Sequence, residues 1–309
     1  MEGIVIKSTG SWYQVQMEDS KVVNCKIKGR FKTLGIKSTN PLAVGDKVSF
    51  KLQKDEEIGM IHDIHIRKNY LIRKATKLSS RTHILAANID YAVLVISLVF
   101  PRTSTGFIDR FLLASEAYHI PAILVFNKID IYDSEINGQM EILIKTYSNI
   151  GYPCIALSAK KKIGIQPLKN LIQNKINLFS GHSGVGKSEL INTIQPGLHL
   201  KTAAVSDSNE KGIHTTTFAE MHPINGGGYI IDTPGIKGFG LVDFVPAEVP
   251  AYFPEMRAIS SSCKFKNCTH SHEPDCAIIA SVKKGNIALS RYNNYLAIIN
   301  DDYFSEKSY

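Results

Sequence analysis

The sequence predicts a multidomain α/β protein. A small N-terminal β-barrel comes first, then an α/β domain built on a parallel sheet, then a metal-binding C-terminal segment with helices. Three observations predict it. Five short strand-like segments fill residues 1 to about 70. Nearly continuous apolar runs then alternate with helix-period segments, the texture of strands buried on both faces. From about residue 242 the chain turns rich in Pro, Cys, His and Ser, and it holds three of its five cysteines between 263 and 276.

The barrel strands are GIVIKS, SWYQVQM, KVVNCKIKG, DKVSFKLQ and MIHDIHI. Turn residues separate several of them, as at Thr9-Gly10-Ser11 and Val44-Gly45-Asp46. Residues 67–81 are basic, polar and without a clear period, and read as a linker. In the α/β domain the buried strands are 91–100, 122–126, 152–157 and INLFS at 176–180. Thr105 caps a helix through GFIDRFLLASEAYH, and EINGQMEILIKTYSNI is a second helix. A further helix opens near Lys187, and YIID at 229–232 is a late strand ending on an acid. The closing helix places Leu289, Tyr292, Leu296 and Ile299 on one face. There is no internal repeat.

The 309 residues are 44% hydrophobic and 21% charged, an ordinary globular composition. No apolar run reaches the length of a membrane span, and the N-terminus lacks a signal-peptide layout, so a cytoplasmic location is expected. The net charge of +8 fits either a well-solvated basic surface or a polyanionic partner such as RNA. Composition does not choose between them. An odd number of cysteines without a secretion signal argues against a disulfide framework, and their clustering argues for a metal.

GHSGVGKS at 181–188 matches the phosphate-loop pattern at every fixed position, after a strand and before a helix. Backbone amides of Gly181, His182, Ser183, Gly184, Val185 and Gly186 would converge on phosphate oxygens at a helix N-terminus, with Glu189 following the loop. Lys187 would reach the β- and γ-phosphates and Ser188 would bind Mg²⁺. Asn127, Lys128, Ile129 and Asp130 follow a buried strand. There a carboxylate can accept both hydrogen bonds from the guanine N1–H and N2–H₂ edge, which adenine lacks. Asn127 would brace the site and Lys128 would lie over the ring. Ser158, Ala159 and Lys160 follow the next strand and would offer a backbone N–H to guanine O6. Asp232 would support Mg²⁺ through water, and the Gly235 amide would sense the γ-phosphate. Thr215, Thr216 or Thr217, after His214, would reach Mg²⁺ from a switch segment. All these parts lie at strand ends, where α/β sheets bind ligands. Their chain order is that of a circularly permuted domain, which is permissible because the termini of such domains are often close together.

Cys263, Cys268, His270 and Cys276 supply three thiolates and an imidazole, the ligand set of a closed tetrahedral Zn²⁺ site. His272 competes for the imidazole position. Cys25 and Cys154 lie in strand patterns as small core residues.

These motifs, together with AANID at 86–90, GIHTTT at 212–217 and DTPGIKGFGL at 232–241, resemble the ribosome small-subunit-dependent GTPase A family over essentially the whole chain. The resemblance implies an OB-fold RNA-binding domain at 1–70, a circularly permuted GTPase domain at 71–241 and a zinc-binding domain at 242–309. It implies binding to the small (30S) ribosomal subunit and 16S rRNA, GTP hydrolysis stimulated there, Mg²⁺ with the nucleotide and one Zn²⁺ per monomeric chain. Glu189, where a hydroxyl residue often stands, and Ile213, where Arg often stands, depart from the pattern. Ile236 occupies the position at which Ras-like enzymes carry a water-orienting Gln, so His214 is the candidate for that role. The rival reading is a non-hydrolysing GTP-dependent RNA clamp.

Overall fold

The computed structural model describes residues 1–9, 11–27, 41–53, 57–74, 82–198, 200, 219–232 and 245–300. Period-two burial shapes the N-terminal region into β1 (Glu2–Ser8), β2 (Tyr13–Gln16), β3 (Val22–Ile27), β4 (Lys47–Leu52) and β5 (Ile58–Ile64). β1–β2 and β2–β3 pair antiparallel, and β3 pairs parallel with β5. β4 pairs antiparallel with both β5 and β1, which closes the five strands into an OB-type barrel. Val5, Tyr13, Val15, Val23, Cys25, Val48, Phe50 and Ile61 fill its interior.

Residues 67–81, read as a linker, are in part a strand. β6 (Tyr70–Lys74) pairs antiparallel with β7 (Thr82–Ala87). The basic residues hid a fully buried apolar side chain, Leu71. A buried ion pair ties this ribbon to the barrel, because Arg67 donates to both carboxylate oxygens of Asp46 at 2.6 and 2.7 Å.

The α/β domain follows as β8 (Tyr91–Ile96), α1 (Thr105–Ala117), β9 (Ala122–Phe126), α2 (Ser134–Asn149), β10 (Cys154–Ala156), α3 (Ile165–Ile172), β11 (Ile176–Ser180), α4 (Lys187–Ile194), β12 (Glu220–Pro223) and β13 (Tyr229–Asp232). The sheet order is β10-β9-β8-β11-β13-β12, parallel except for the antiparallel β12. One face packs against Phe107, Ile108, Phe111 and Leu112 of α1 and Met140 and Tyr147 of α2. The other packs against Ile165, Leu168 and Ile172 of α3 and Leu190, Ile191 and Ile194 of α4. The N-cap of α1 is Ser104 rather than Thr105; its hydroxyl accepts the Phe107 N–H at 3.2 Å. Edge strand β12 does not end the sheet. It pairs antiparallel with β1 at Lys7↔Glu220, and the two side chains form an ion pair at 3.2 Å.

The C-terminal segment contributes α5 (Pro254–Arg257), α6 (Ala277–Lys283) and α7 (Leu289–Ile299). Val249, Phe253, Met256, Ile278, Tyr295 and Ile298 make a core with Leu113 of α1. The buried face of α7 is centred on Arg291, Tyr295 and Ile298, while Leu289 is 62% exposed. The expected apolar face was offset because the helix buries a cation. The Arg291 guanidinium donates to Asp109 of α1 at 2.7 Å and to both oxygens of Glu255 at 2.8 and 3.0 Å. Tyr147 at 2.8 Å and Asn294 at 2.6 Å complete the shell of Asp109. Among the described residues no helix is long and apolar enough to cross a membrane.

Candidate active site and metal centre

The loop between β11 and α4 turns through Gly181, Gly184 and Gly186 at φ 154°, 82° and 91°. Close approach also demands glycine: a Cβ at Gly181 would stand 2.6 Å from the Val95 carbonyl oxygen, and one at Gly186 would stand 2.4 Å from Asn127 Nδ2. Val185 is fully buried and anchors the loop from beneath. Lys187 and Ser188 open α4, so both side chains start from a helix N-terminus.

Asn127 joins the separate strand ends into one site. Its amide donates to the Val185 carbonyl at 2.9 Å, and its carbonyl oxygen accepts the Ala159 N–H at 3.0 Å. One buried side chain thus links the NKID turn, the Ser158–Lys160 turn and the phosphate loop. Lys128 Nζ donates to the carbonyls of Gly184 at 2.7 Å and Phe100 at 2.6 Å, laying its stem along the loop. Burial lowers the Lys128 pKa, and the nearby Asp130 charge opposes that shift. Ile129 and Asp130 sit in a short 3-10 turn after Lys128, whose φ of 70° aims the turn back over the sheet edge. Ser158 and Ala159 are buried and Lys160 is exposed. The Ser158 hydroxyl accepts the Lys161 N–H at 3.0 Å and shapes that turn.

Asp232 ends β13, the strand beside β11, and its carboxylate pairs with the Lys187 ammonium. The two charges expected to face Mg²⁺ and phosphate therefore share one small volume. Glu189 is exposed on the first turn of α4. His214, Thr215, Thr216, Thr217 and Gly235, with Ile213 and Ile236, lie outside the described residues.

Two contributors were not read from the sequence. The Tyr132 hydroxyl donates to the Asn127 carbonyl at 2.6 Å and accepts the Leu98 N–H at 2.9 Å, which fixes the base-side turn to the neighbouring strand. Phe107 of α1 lies against His182 of the phosphate loop with ring centroids 3.9 Å apart. Burial, with the nearby Arg110 charge, lowers the His182 pKa and favours a neutral imidazole. Nothing in the local pattern marked Phe107 as more than a core residue.

In the C-terminal segment the ligand atoms of Cys263, Cys268, His270 and Cys276 all lie within 4.8 Å of one another. The Cys263–Cys276 sulfur distance is 3.9 Å, and His270 Nδ1 stands 3.6 and 3.5 Å from those two sulfurs. Zn–S bonds of about 2.3 Å and Zn–N bonds of about 2.0 Å in a tetrahedron give S···S edges of about 3.8 Å and S···N edges of about 3.5 Å. The cluster therefore has the size and donor chemistry of a four-coordinate zinc site. His270 supplies the imidazole; His272 instead places Nδ1 2.8 Å from the Ser271 hydroxyl. The surrounding shell is built from α7 and Glu273. Tyr292 and Tyr295 donate to the His270 and Thr269 carbonyls at 2.7 and 2.6 Å. Glu273 accepts from the amides of Thr269, Ser271 and His272 at 2.6, 3.1 and 3.3 Å. Burial alone would raise the Glu273 carboxyl, but the hydrogen bond from the Thr269 hydroxyl at 2.6 Å, followed by those from backbone amides, holds it well below the usual carboxylate range.

A phosphate loop on the central strand of the sheet, a guanine-type NKID turn braced against it by Asn127, and an acid ending the adjacent strand define a P-loop GTPase. The chain enters at the NKID half and leaves after the acid, so the domain is circularly permuted. Comparison with known proteins gives the family. Residues 64–242 match the model of the RsgA GTPase and residues 2–61 that of the RsgA N-terminal domain. The chain belongs to the RsgA GTPase family. It is 52% identical over 301 residues to the small ribosomal subunit biogenesis GTPase RsgA 2 of Bacteroides thetaiotaomicron, covering 97% of each chain. It is 50% identical over 304 residues to the RsgA of Flavobacterium johnsoniae, covering 98% of this chain and 94% of that one. Among solved structures it is similar to YjeQ from Thermotoga maritima, with TM-score 0.80, 34% identity and 99% of each chain covered. It is also similar to YloQ, a circularly permuted GTPase, with TM-score 0.76, 32% identity, and 100% and 96% covered.

Proposed function

We propose that this GTPase acts in maturation of the small ribosomal subunit, binds that subunit and its 16S rRNA, and hydrolyses GTP faster when bound. The observation that carries the nucleotide part is the Asn127 bridge, since it makes base reading and phosphate binding one rigid unit. The ribosomal part rests on the relatives, which are named small ribosomal subunit biogenesis GTPases and align over nearly the whole chain. The basic charge and the barrel surface support an RNA partner. Trp12 is 39% exposed at the β1–β2 turn, and Lys26 of β3 lies 4.1 Å from its ring centroid.

In this reading Asp130 accepts from guanine, Lys128 covers the ring, and Ser158–Lys160 close the base pocket. Residues 181–189 hold the phosphates, and Lys187 leaves Asp232 for the β- and γ-phosphates. Ser188 with Thr215 or Thr216 holds Mg²⁺, which neutralises charge developing on the phosphate oxygens. His214 positions the attacking water, and Gly235 reports the γ-phosphate. Cys263, Cys268, His270 and Cys276 hold one structural Zn²⁺. The domains run 1–70, 71–241 and 242–309, and the chain works as a cytoplasmic monomer.

The test is GTP turnover and co-sedimentation with purified small subunits, in GDP and in a non-hydrolysable GTP analogue. Tighter association in the analogue and faster turnover with subunits are expected. Absence of both would overturn the ribosomal reading while leaving the GTPase intact.

A further inference from the structure

The loop between the first two metal ligands, Lys264-Phe265-Lys266-Asn267, is exposed at every residue. Phe265 is 41% exposed, one of the few large aromatic side chains so exposed among the described residues. The ring is not there for want of order. Cys263 and Cys268 anchor both ends of the loop in the metal cluster, and the Phe265 carbonyl accepts the Cys268 N–H at 3.3 Å, closing a tight turn. Lys264 Nζ lies 5.8 Å from the ring centroid and is held there by Asp275 at 3.0 Å. Lys266, the next residue in the chain, is exposed and has no ion pair among the described residues. Glu273 accepts from backbone amides of Thr269, Ser271 and His272 and forms no ion pair with either lysine among the described residues.

An exposed ring flanked in sequence by two lysines, on a tight turn anchored at both ends, matches a nucleotide with an unstacked base. The ring offers a stacking face, and the lysines meet the flanking phosphates. Duplex RNA offers no free base face at this scale, and a purely acidic protein surface would leave the ring without a role. We propose that the Cys263–Cys268 loop binds RNA by stacking an unpaired base on Phe265, with Lys264 and Lys266 contacting the adjacent phosphates. The proposal rests on the reading that this protein docks on ribosomal RNA, and it names the kind of RNA element the C-terminal domain takes.

The experiment uses the full, zinc-loaded chain and a labelled single-stranded adenine oligoribonucleotide, a matched RNA duplex, and heparin, a polyanion without bases. Phe265→Ala should weaken single-strand binding about tenfold and leave duplex and heparin binding unchanged. Phe265→Tyr should restore it. Lys264→Ala with Lys266→Ala should lower the dependence of log affinity on log salt by about 0.7 per lost phosphate contact. The chain has one tryptophan, Trp12. Phe265→Trp in a Trp12→Phe background therefore carries a single reporter in the loop, and its emission should be quenched on adding the oligonucleotide. Zinc content and GDP binding of each variant check that the fold persists. Unquenched emission during binding, equal losses toward heparin and single strand, or wild-type affinity in Phe265→Ala would each overturn the proposal. Wild-type chain that still co-sediments with small subunits would confine that failure to the loop; loss of co-sedimentation in the wild type would instead strike the ribosomal reading.

Discussion

Arg291→Met tests whether the C-terminal domain is fastened to the GTPase domain through α1. Arg291 is 2% exposed and Asp109 fully buried, and the guanidinium satisfies one oxygen of Asp109 and both of Glu255. Removing one partner of a buried pair costs about 3–5 kcal/mol, because it leaves an uncompensated charge. Tyr147 and Asn294 still donate to Asp109, and the Glu255 side chain is 8% exposed, so the lower half of that range is expected. The pH dependence has a definite sign. Burial raises the Asp109 pKa and the Arg291 charge is the largest opposing influence. Without Arg291 the folded-state value rises further above the unfolded value of about 3.9. A raised acid favours the fold below the unfolded value and loses that contribution as pH rises through the folded value. The variant should thus be more impaired at pH 8 than at pH 5. Urea unfolding at both pH values, with a chromophoric chelator reporting zinc release, measures it. Adding Asp109→Asn should recover part of the loss, since the unpaired charge is gone. A cost below about 1 kcal/mol, or strictly additive single and double variants, would refute the argument that this pair is a mechanical joint.

Three other outcomes are expected. Asp130→Asn should weaken GTP and favour xanthosine triphosphate, because the amide donates to the new carbonyl; a binding titration with both nucleotides checks it. Cys268→Ala should lose the metal while the GTPase domain still binds GDP, and elemental analysis of the wild type should find about one zinc per chain. Asn127→Ala leaves the Ala159 N–H and the Val185 carbonyl without their partner, at about 1–3 kcal/mol for each buried group. GDP affinity measured by fluorescent-analogue displacement should therefore fall by at least tenfold, whereas Asn137→Ala on α2 should not change it.

The nucleotide motifs were legible because phosphate and guanine recognition each concentrate in a few contiguous residues, where spacing fixes geometry. The bond that unites them was less so. Asn127 reaches Ala159 and Val185, 32 and 58 residues away, and only the sheet order brings them together. The four candidate metal ligands could be read as a set, with His270 preferred to its rival His272, and the fold groups His270 with the three cysteines. The C-terminal helix was legible as a helix and misjudged in face, because periodicity counts Arg291 as polar while Asp109 and Glu255 make its burial tolerable. Strand β6 was missed for a similar reason: its partner β7 supplies the order that RKNYLIRK lacks alone. α3 was not anticipated, and Pro167 on its first turn is compatible with a helix there because the missing N–H would have been unpaired.

The glycine-rich run DTPGIKGFGL, whose residues after Asp232 lie outside the described ones, leads from the GTPase domain to the C-terminal segment, and a loose tether there would let nucleotide state swing that segment. The contacts around α1 restrict that idea. To swing free, the C-terminal segment would have to separate Arg291 from Asp109 and withdraw Phe253, Met256 and Tyr295 from Leu113. Undocking exposes the apolar side chains packed with Leu113, at about 1.5–3 kcal/mol for each fully buried one, whereas the ion pair regains water on separation and adds little. Driving a two-state equilibrium from one side to the other takes about 5.5 kcal/mol of differential ligand affinity, and that must exceed the undocking cost as well. A docked domain is the economical state in either nucleotide. Signals then have to pass through elements already in contact. α1 touches the phosphate loop at Phe107–His182 and the C-terminal segment at Asp109, two residues further along the same helix. On the opposite edge, β12 begins just after the threonine-rich segment and is paired with β1 of the barrel. Permutation therefore leaves the barrel and the C-terminal segment joined to the nucleotide site through short, packed contacts, so that small displacements of α1 and β12, rather than release of a tether, are what nucleotide exchange can transmit.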